Sequence, residues 1–496
     1  MKKFSLLFLS ALLVFTSCVN DDNADALTEA DVARIVAAAL ADANIPSSTQ
    51  IASEVTTAVI AAIDSGISVE EAVAQALAAQ NANTVVEIGG TGDVTKLTGT
   101  INWTSDTTYI IGGKVVVMDG ATLNIEAGTL VKARSGLFND ATALIIARGG
   151  TINANGTAAA PIVMTDINDQ LTRQDIANRK VVSSNRTASD RGKWGGLIVL
   201  GKALISHEGG AERSIEGIDP PAGETWNKYG GSDDADNSGT INYVSIRHTG
   251  ISLSPGNEIQ GLTLGGVGSG TTISHVECFG SDDDGIEIFG GSVNLDNVVV
   301  TGAKDDSLDT DEGWSGTIDN AVIEILDYTD NAFEYDGPRA ALGRKNVTQN
   351  VTVNIRYSGA NTSEDTPQLG QLKENLSSTF NNILVNVAAG READSGLESM
   401  ANNHGTYKGV ATGVHQSFGT AAAGSEYIIF DGFTYIGAST QAQIVGGNTV
   451  DSSGYTDVNT AFASWCTILA DRSSLVGSEG ADPDEFGGWT AWSASF

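Results

Sequence analysis

The stretch that decides the fold runs from Ile273 to Val300 and reads ISHVECFGSDDDGIEIFGGSVNLDNVVV. An apolar-x-x-apolar-x-apolar motif opens it and closes it, as Ile273/Val276/Cys278 and as Leu295/Val298/Val300. Between the two copies lies a second, shorter motif, Gly285-Ile286-Glu287-Ile288. Two strand motifs in a fixed order, returning after about 22 residues, indicate a structural repeat.

Both motifs recur along the chain, at early intervals of about 22 to 32 residues. Further copies of the first are Ile241/Val244/Ile246, Ile318/Ala321/Ile323 and Phe380/Ile383/Val385. Copies of the second are Gly261–Leu264, Ser307–Asp309, Ala332–Tyr335, Gln371–Lys373 and Gly396–Glu398, with earlier segments around Leu144 and Leu197. An insertion, roughly Ser358 to Gln368, explains the longer gap before Leu372. Each repeat buries its inward aliphatic side chains against its neighbours. The pattern predicts an all-β chain, a parallel β-helix over residues 90–475.

Composition agrees with this fold. The 496 residues include 58 Gly and only 8 Pro, which suits strands joined by many tight turns. Hydrophobic residues make up 41% and exclude wholesale disorder, while three Cys exclude a disulfide scaffold. Cys278 falls in an inward column, so we expect a core thiol rather than a disulfide with Cys466. The net charge of −34 argues against nucleic acid and anionic membrane surfaces as partners.

The N-terminus predicts export. Lys2 and Lys3 precede an apolar run that ends in Thr16-Ser17-Cys18, which is typical of a secretory signal over residues 1–17. Cys18 after Ser17 resembles a bacterial lipobox, in which the Cys is acylated; the alternative is an ordinary signal peptide with an incidental Cys. The acidic linker 18–26 resembles the signal that sends lipoproteins of the Bacteroidota to the outer face of the outer membrane. These features predict a lipid-anchored, surface-exposed protein.

Residues 27–83 form an Ala-rich segment with apolar residues at the 3.6-residue period of amphipathic helices. Ser68 with Glu71 is one of its capping boxes. A small helical bundle between the anchor and the body is therefore expected. A solenoid needs a cap at each end. The helical segment is a candidate for one cap, and the C-terminal residues 476–496 are the candidate for the other.

One position of the first motif predicts a turn. It holds Tyr243, His275, Asn297, Asn320 and Asn382. Stacked Asn side chains hydrogen-bond along a column as amide ladders do. His275 is therefore interpreted as structural rather than as a ligand.

The second motif predicts a wall of carboxylates. The residue after its inward apolar position runs Thr263, Glu287, Asp309, Glu334, Lys373, Glu398. Acids flank it at Asp283 and Asp284, Asp305 and Asp306, and Asp330, with Asp311, Glu312 and Asp336 beyond. Stacked strands lie about 4.8 Å apart, so these charges must be protonated, paired or bridged by a cation.

Three interpretations of this wall remain open. One is a solvated acidic face. Another is a site for calcium or another cation, with ligands among Asp283, Asp305, Asp309, Asp311 and Glu312, since calcium prefers oxygen ligands. The third is a carbohydrate active site, with candidate catalytic residues Asp284, Glu287, Asp306, Asp309 and Glu334, because glycoside hydrolysis needs two carboxyl groups.

A second metal candidate is Asp234-Ala235-Asp236-Asn237-Ser238-Gly239, which matches the first half of a calcium-binding loop. Ser245 stands at the twelfth position, where such a loop needs a bidentate carboxylate. Asp234, Asp236 and Ser238 are therefore candidate ligands of a partial loop, and an Asx-rich turn is the alternative.

Several stretches carry a family resemblance: Ala143–Gly149, Trp194–Gly201, Leu262–Gly268 and Ser281–Glu287. They resemble Bacteroidota outer-membrane lipoproteins of the right-handed parallel β-helix type, over most of the chain after about residue 90. The resemblance implies fold and location but no activity. Asp283-Asp284-Gly285-Ile286 is also similar to the paired-aspartate rung of polygalacturonase-type β-helix glycosidases, although their Gly-His-Gly and Arg-x-Lys rungs are missing from this sequence.

These observations favour a non-catalytic surface β-helix. Its acidic face, with calcium as the candidate cofactor, would be presented to a glycan or to a protein such as an outer-membrane partner. The alternative is a polysaccharide-degrading enzyme, a glycoside hydrolase or lyase, that uses the stacked carboxylates.

Overall fold

The computed structural model describes residues 84–207, 210–254, 257–339, 344–356, 368–373, 376–399, 428–437, 440–445 and 462–492, together with short pieces between residues 32 and 73. The chain divides into two units, Met1–Thr84 and Val85–Phe496. Residues 1–17, Cys18 and the linker 18–26 lie outside the described residues, as do residues 358–367 of the expected insertion.

Among the described residues of the first unit, 32–37, 56–57, 59–61 and 71–73 are helical. Val32, Val36 and Val59 are buried. The main-chain N–H of Glu71 donates to Ser68 Oγ at 3.3 Å, as its capping box predicts. Among the described residues, no helix is both long and apolar enough to cross a membrane.

The second unit is built from two large parallel sheets. The ten-stranded sheet contains β2 (Val94–Leu97), β5 (Lys114–Val117), β8 (Ala143–Ile146), β11 (Leu197–Leu200), β17 (Leu262–Gly265), β19 (Ile286–Phe289), β21 (Leu308–Asp311), β23 (Asn331–Asp336), β25 (Gln368–Lys373) and β27 (Leu397–Ser399). Each strand pairs with the next one named.

The fifteen-stranded sheet begins with two columns of short strands and continues with long ones. It contains β1 (Val85–Ile88), β3 (Thr100–Trp103), β4 (Thr108–Ile111), β6 (Thr122–Ile125), β7 (Leu130–Ala133), β9 (Thr151–Asn155), β10 (Ile162–Asp166), β14 (Gly239–Thr249), β18 (Thr272–Ser281), β20 (Asn294–Ala303), β22 (Thr317–Ile325), β24 (Asn346–Ile355), β26 (Ser378–Val387), β28 (Ile428–Ile436) and β29 (Cys466–Leu469).

The remaining elements are short. Two antiparallel hairpins join β12 (Arg213–Ser214) to β13 (Lys228–Tyr229) and β15 (Ile251–Ser254) to β16 (Asn257–Ile259). The helices are α1 (Arg173–Ala177), α2 (Gln441–Val445) and α3 (Phe462–Trp465), with 3₁₀ turns at Phe138–Asp140, Glu392–Ser395, Arg472–Ser474 and Pro483–Phe486.

The strand register confirms the predicted repeat. Ile286 pairs with Leu308 and Leu308 with Phe333 on consecutive parallel strands. The three residues are 0%, 1% and 0% exposed, inside one continuous apolar core. Parallel strands joined by crossovers wind with right-handed connections. The second unit is therefore the right-handed parallel β-helix that the sequence predicts.

A column of left-handed residues turns each long strand through a corner. Thr240–Asn242 of β14 continues the column of β9, whereas Val244–Ile246 continues that of β10. Tyr243 lies between these halves with φ 50°, and φ is also positive at His275, Asn297, Asn320, Asn350 and Asn382. Asn tolerates this conformation better than most residues. Asn320 Nδ2 donates to Asn297 Oδ1 at 2.6 Å, which confirms the predicted ladder.

The repeated sequence motif does not reveal the coil that contains β24. This coil supplies Asn350 to the ladder, and Asn382 Nδ2 donates to Asn350 Oδ1 at 2.8 Å. Its inward positions are Thr348, Val351 and Val353, which are all fully buried. A polar Thr in the first apolar position hides this copy, although its hydroxyl is satisfied by Tyr335 at 2.9 Å.

A second apolar layer lies outside the ten-stranded sheet. Val116, Ile145 and Ile198 occupy one outward column on β5, β8 and β11, yet all are buried. They pack in a cluster with Ile215, Ile218, Trp226 and Tyr229. These four belong to residues 210–229, here called the cover. The cover therefore closes the upstream part of this sheet face.

The C-terminal segment lies along the side of the β-helix, whereas the sequence led us to expect a cap. The main-chain N–H groups of Ala491 and Trp492 each donate to the Glu277 carboxylate at 2.9 Å. Farther along, Gly480 N–H donates to Asn382 Oδ1 at 3.0 Å and Asp482 N–H to Asn320 Oδ1 at 2.6 Å. We call residues 480–492 the strap. The Asn side chains of the corner ladder present oxygen acceptors, and main-chain N–H groups of the strap donate to them.

The last coil is closed by other residues. There β29 pairs with β28, and α3 packs onto the same end. Trp465 of α3 lies 4.9 Å from Phe430 between ring centroids. Cys466 and Cys278 are both buried and free, so the core thiol predicted at Cys278 is confirmed.

Replacing Leu308 by Asp should unfold the β-helix, because an unpaired charge would enter a core position that is 1% exposed. We expect a loss of more than about 4 kcal/mol in the free energy of unfolding, measured by urea denaturation. Leu308→Met is the matched control and should cost less than about 1.5 kcal/mol. A stable Leu308→Asp variant would contradict an inward-facing column at this position.

Candidate functional site

The carboxylates lie at one turn of three successive coils. The turn between β18 and β19 carries Asp283 and Asp284, and the turn between β20 and β21 carries Asp305 and Asp306. The turn between β22 and β23 ends in Asp330. Glu287 and Asp309 follow on β19 and β21, directly opposite each other. These seven residues are called the acidic wall below.

The wall contains three groups of carboxylates whose oxygen atoms lie within 4.8 Å of one another. The groups are Asp283/Asp284/Asp305, Asp284/Glu287/Asp309 and Asp305/Asp306/Asp330. Such distances suit several oxygen ligands around one cation. The structure thus brings together six of the predicted candidates and adds Asp330; the six are Asp283, Asp284, Glu287, Asp305, Asp306 and Asp309.

Two of these carboxylates also build the turn. Asp284 Oδ1 accepts from the main-chain N–H of Asp306 at 2.9 Å, and Asp306 Oδ1 accepts from that of Asn331 at 3.0 Å. Asp284 is 6% exposed and Asp306 is 2% exposed. A carboxylate oxygen that accepts one hydrogen bond keeps further lone pairs, and the second oxygen remains for another partner. The two residues therefore fix the wall in place.

Glu287 is the most unusual member of the wall. Its side chain is 6% exposed, and its Oε2 atom has no hydrogen-bond partner among the described residues. Burial raises the pKa of Glu287 well above its usual range, and the negative charge of Asp309 raises it further. A buried polar atom without a partner costs about 1–3 kcal/mol. Glu287 therefore combines membership of a carboxylate group with a buried oxygen that has no hydrogen-bond partner among the described residues.

Burial and nearby negative charges also raise the pKa values of the neighbouring acids Asp283 and Asp284. Burial raises the pKa of Asp283, and the charge of Asp305 adds to it. Burial also raises the pKa of Asp284, with Asp283 as the next cause. Like charges at this spacing disfavour ionisation unless a cation compensates them. A bound cation would lower all three pKa values and stabilise the ionised wall.

The cover and the β15–β16 hairpin bring polar groups to the edge of the wall. Gln260 is 2% exposed, and its Nε2 donates to Glu216 at 2.8 Å and to Asp283 at 3.2 Å. Burial raises the pKa of Glu216, with further contributions from Asp311 and Glu258. Sequence reasoning missed Glu216 and Gln260, because they lie in connections outside the repeated motifs.

Asp311 and Glu312 belong to a different arrangement. Arg339 Nη2 lies 3.0 Å from Asp311 Oδ1, and Arg213 of the cover pairs with Glu312. Tyr229 also donates its hydroxyl to Glu312, at 3.2 Å. Neither residue is in the three carboxylate groups. The structure therefore uses both as partners of arginine, in contrast to the cation ligands that the sequence suggested.

Beyond Glu334, the outward column that contains Glu287 passes through a different residue from the one that the sequence predicts. Glu334 pairs with Gln371, and Gln371 with Glu398, whereas Lys373 pairs with Asp336. Placing Lys373 in this column was wrong by two residues. The cause is Gly370, which occupies the inward position opposite Phe333. Because Gly370 is not recognisable as an apolar motif residue, the motif was aligned on Leu372, which pairs with Tyr335 instead. Glu334 lies outside the three groups, and the side chain of Glu398 lies outside the described residues.

The Asp234–Ser238 segment forms a turn that is held by hydrogen bonds and an ion pair. Asp234 pairs with Arg344 and accepts from the main-chain N–H of Leu204 at 3.0 Å. Asn237 Oδ1 accepts from Gly239 N–H at 2.7 Å, which is an Asx turn. Asp236 and Ser238 are buried, and burial raises the pKa of Asp236. The contacts fit the Asx-rich turn, and Asp234 already has a cationic partner.

A separate cavity of about 620 Å³ lies beneath the end of the cover. Its lining includes Lys96, Arg148 and Trp226. Lys96 pairs with Glu224 at 2.6 Å and Arg148 with Glu212 at 2.6 Å, so both cations fasten the cover to the body. No residue of the acidic wall lines this cavity.

Comparison with known proteins agrees with this architecture. A family model described as a pectate-lyase-like beta helix domain matches residues 92–418, more than half of the chain. No curated protein and no solved structure matches the chain. The matched residues include the cover, the acidic wall and most coils of both sheets. The chain therefore belongs to the family of pectate-lyase-like beta helix domains.

Proposed function

We propose that this protein is a non-catalytic, calcium-binding β-helix that presents its acidic wall to glycan or protein ligands at the cell surface. The observation that carries the proposal is the Glu287 side chain, 6% exposed with an unpartnered Oε2, inside a group formed with Asp284 and Asp309. A divalent cation satisfies that oxygen and relieves the repulsion among its neighbours.

Calcium is the favoured ion because of the chemistry of the donors. The wall offers carboxylate oxygens, and calcium takes six to eight oxygen ligands in flexible geometry. Asp283 and Asp305, half-buried and exposed respectively, border the buried members. A cation held there retains coordination positions for water or for hydroxyl and carboxylate groups of a ligand. This arrangement supports binding of a glycan or an acidic protein segment through the ion.

A catalytic role receives less support from the geometry. Glycoside hydrolysis requires carboxyl groups that exchange a proton or attack the sugar. Asp284 and Asp306 are instead buried acceptors of main-chain hydrogen bonds. The family description favours the alternative, a polysaccharide-degrading enzyme. Its candidate catalytic residues outside those main-chain contacts are Glu287, Asp309 and Glu334. Incubation with neutral and acidic polysaccharides, followed by assays for reducing ends and unsaturated products, separates the two functions.

We also propose that acylated Cys18 anchors the protein to the outer membrane, with the β-helix facing outward. The lipobox-like sequence around Cys18 and the acidic linker support this location. Several acyl chains on one residue hold a protein to a membrane much more firmly than one chain does.

Calcium should raise the melting temperature of the parent protein, because the ion binds the folded state only. At about 100-fold above Kd we expect a rise of roughly 3 °C, measured by differential scanning calorimetry. Asp309→Asn should remove most of this rise. In calcium-free buffer the same variant should melt slightly higher than the parent, because one charge beside Glu287 is gone.

Asp296→Asn is the matched control, since Asp296 lies on β20 of the other sheet and its loss removes the same charge. It should keep the full calcium response. An unchanged melting temperature of the parent in calcium would refute the proposed cation site. Glycan turnover that Asp309→Asn abolishes while the fold persists would establish the enzyme instead.

Cys18→Ala should release the protein from membranes or block its maturation, because the acylated residue is lost. Fractionation of cells followed by immunoblotting gives the measurement. Cys466→Ser, which changes another Cys outside the signal region, should leave the protein in the outer-membrane fraction. An unchanged amount of Cys18→Ala protein in that fraction would show that no lipid anchor is attached at this residue.

A further inference from the structure

We infer that residues 187–193, here called the side segment, lie against the edge of the acidic wall at neutral pH and are released when His248 takes up a proton. Such a release changes access to the wall whether or not a cation is bound there, so it goes beyond the proposed function. The contacts of the side segment and the surroundings of the His248 ring carry this inference.

The side segment reaches the turn that precedes β19. Ala188 packs on Gly280, where a Cβ atom would lie only 2.6 Å from the Ala188 carbonyl oxygen. Arg191 pairs with Asp282 at 2.6 Å. Because Asp282 directly precedes Asp283, the side segment borders the acidic wall at this turn.

Hydrogen bonds to the end of β14 hold the side segment. The main-chain N–H of Gly192 donates to the Thr249 carbonyl oxygen at 2.6 Å, and that of Lys193 donates to the His248 carbonyl oxygen at 2.9 Å. The Nδ1 atom of His248 lies 2.6 Å from the Asp190 carbonyl oxygen. A carbonyl oxygen only accepts, so Nδ1 carries the hydrogen of the neutral ring and Nε2 is an acceptor. His248 therefore holds the segment through its main chain and through its ring.

Contacts on both sides limit the part of the chain that moves. Arg186 pairs with Asp166 at 2.8 Å. Trp194 is fully buried, and its Nε1 donates to the Arg247 carbonyl oxygen at 2.7 Å. Neither contact involves the His248 ring, so both persist when the ring changes its charge. The release is therefore confined to the residues between them.

The His248 ring has no acceptor for a second N–H group. Its side chain is 1% exposed, and Nε2 has no hydrogen-bond partner among the described residues. Asp169 Oδ2 lies 3.9 Å from Nε2, beyond hydrogen-bond distance, and it already accepts from the Thr165 hydroxyl at 2.7 Å. The neighbouring Arg247 side chain is buried as well. Protonation would therefore bury a second positive charge beside Arg247, together with a donor that lacks an acceptor.

The electrostatic surroundings set the pH range of the release. Burial lowers the pKa of His248 from 6.5 to about 4, and the positive charge of Arg247 acts in the same direction. The charged groups around the ring come from β10, β14, β18 and the connection after β10, and they are Asp166, Asp169, Arg186, Asp190, Arg247 and Glu277. Because the neutral ring is favoured while the segment is held, the held state is fully stable above about pH 6.5 and loses stability as the pH falls toward about 4.

Hydrogen–deuterium exchange of the full-length chain, read by mass spectrometry and corrected for the pH dependence of intrinsic exchange, tests this inference. Between about pH 7 and about pH 4.5, the uptake of one proton shifts the equilibrium toward the released segment by roughly 60-fold. We expect peptides that cover residues 187–193 to lose protection by up to this factor. Peptides that cover β20 and β22 should keep their protection.

His248→Asn removes the titrating ring and suits the local backbone. His248 has φ 63°, a conformation that Asn tolerates better than most residues, and an Asn amide is a donor for the Asp190 carbonyl oxygen. This variant should keep the side segment protected at about pH 4.5. His275→Asn is the matched control, since His275 has φ 57° but contacts the strap through Glu485. It should show the same pH response as the parent.

A side segment that stays fully protected in the parent down to about pH 4.5 would overturn the inference. An equal loss of protection in His248→Asn, or a response abolished by His275→Asn, would assign the release to other groups and overturn it too. Simultaneous loss of protection in β20 and β22 would show global unfolding instead. If His248→Asn does not fold at neutral pH, the parent decides alone: a loss confined to residues 187–193 supports the release, and any other profile contradicts it.

Discussion

Every residue in these coils lies about 4.8 Å from its counterpart in the next coil, because the parallel strands pair in register. This spacing forces like residues to meet. Where the column is apolar, the result is a continuous core; where it is Asn in a left-handed conformation, the result is an amide ladder. Where it is acidic, the same stacking brings like charges together and makes them repel each other. The acidic wall is therefore a direct consequence of the repeat.

One outward column shows how the protein divides a single sheet face. The column runs through Val116, Ile145 and Ile198, and continues through Thr263, Glu287 and Asp309. The upstream members are apolar and buried beneath the cover, whereas the downstream members are polar or charged. The cover thus sets the boundary of the site. Its Arg213 and Tyr229 hold Glu312, and Glu216 contacts Gln260 at the same boundary.

The sequence predicts those features that follow from the repeat itself. In a regular repeat, each position of the motif has the same surroundings in every coil. This rule predicts the inward columns, the left-handed Asn column, the buried Cys278 and the stacking of Glu287 on Asp309. The failures occur where a residue departs from the period. Thr348 hides one coil, and Gly370 shifts the alignment of Lys373 by two residues.

Contacts between distant segments were also beyond the reach of the motifs. The strap binds Glu277 across more than 200 residues, and the cover packs on Val116 and Ile145, which precede it by more than 50 residues. Nothing in the local spacing of residues 480–492 specifies that their main-chain N–H groups meet Asn320 and Asn382. For the same reason the sequence placed Asp311 and Glu312 among the cation ligands, since their arginine partners, Arg339 and Arg213, come from connections between coils.

The position of the strap explains how the fold tolerates its acidic wall. In a solenoid each coil contacts only its neighbours, so a local repulsion weakens the stack at one place. The wall lies on the coils of β19, β21 and β23. The strap joins coils on both sides of that region, from Tyr243 and Glu277 to Asn382, along the other sheet. Trp489 and Phe486 of the strap are fully buried, so the connection includes apolar packing as well as hydrogen bonds. Separation of the acidic coils would have to break these contacts too. The strap therefore couples coils that a simple repeat would leave independent. With this coupling the β-helix tolerates a cluster of charges whose repulsion would otherwise favour separation of the coils.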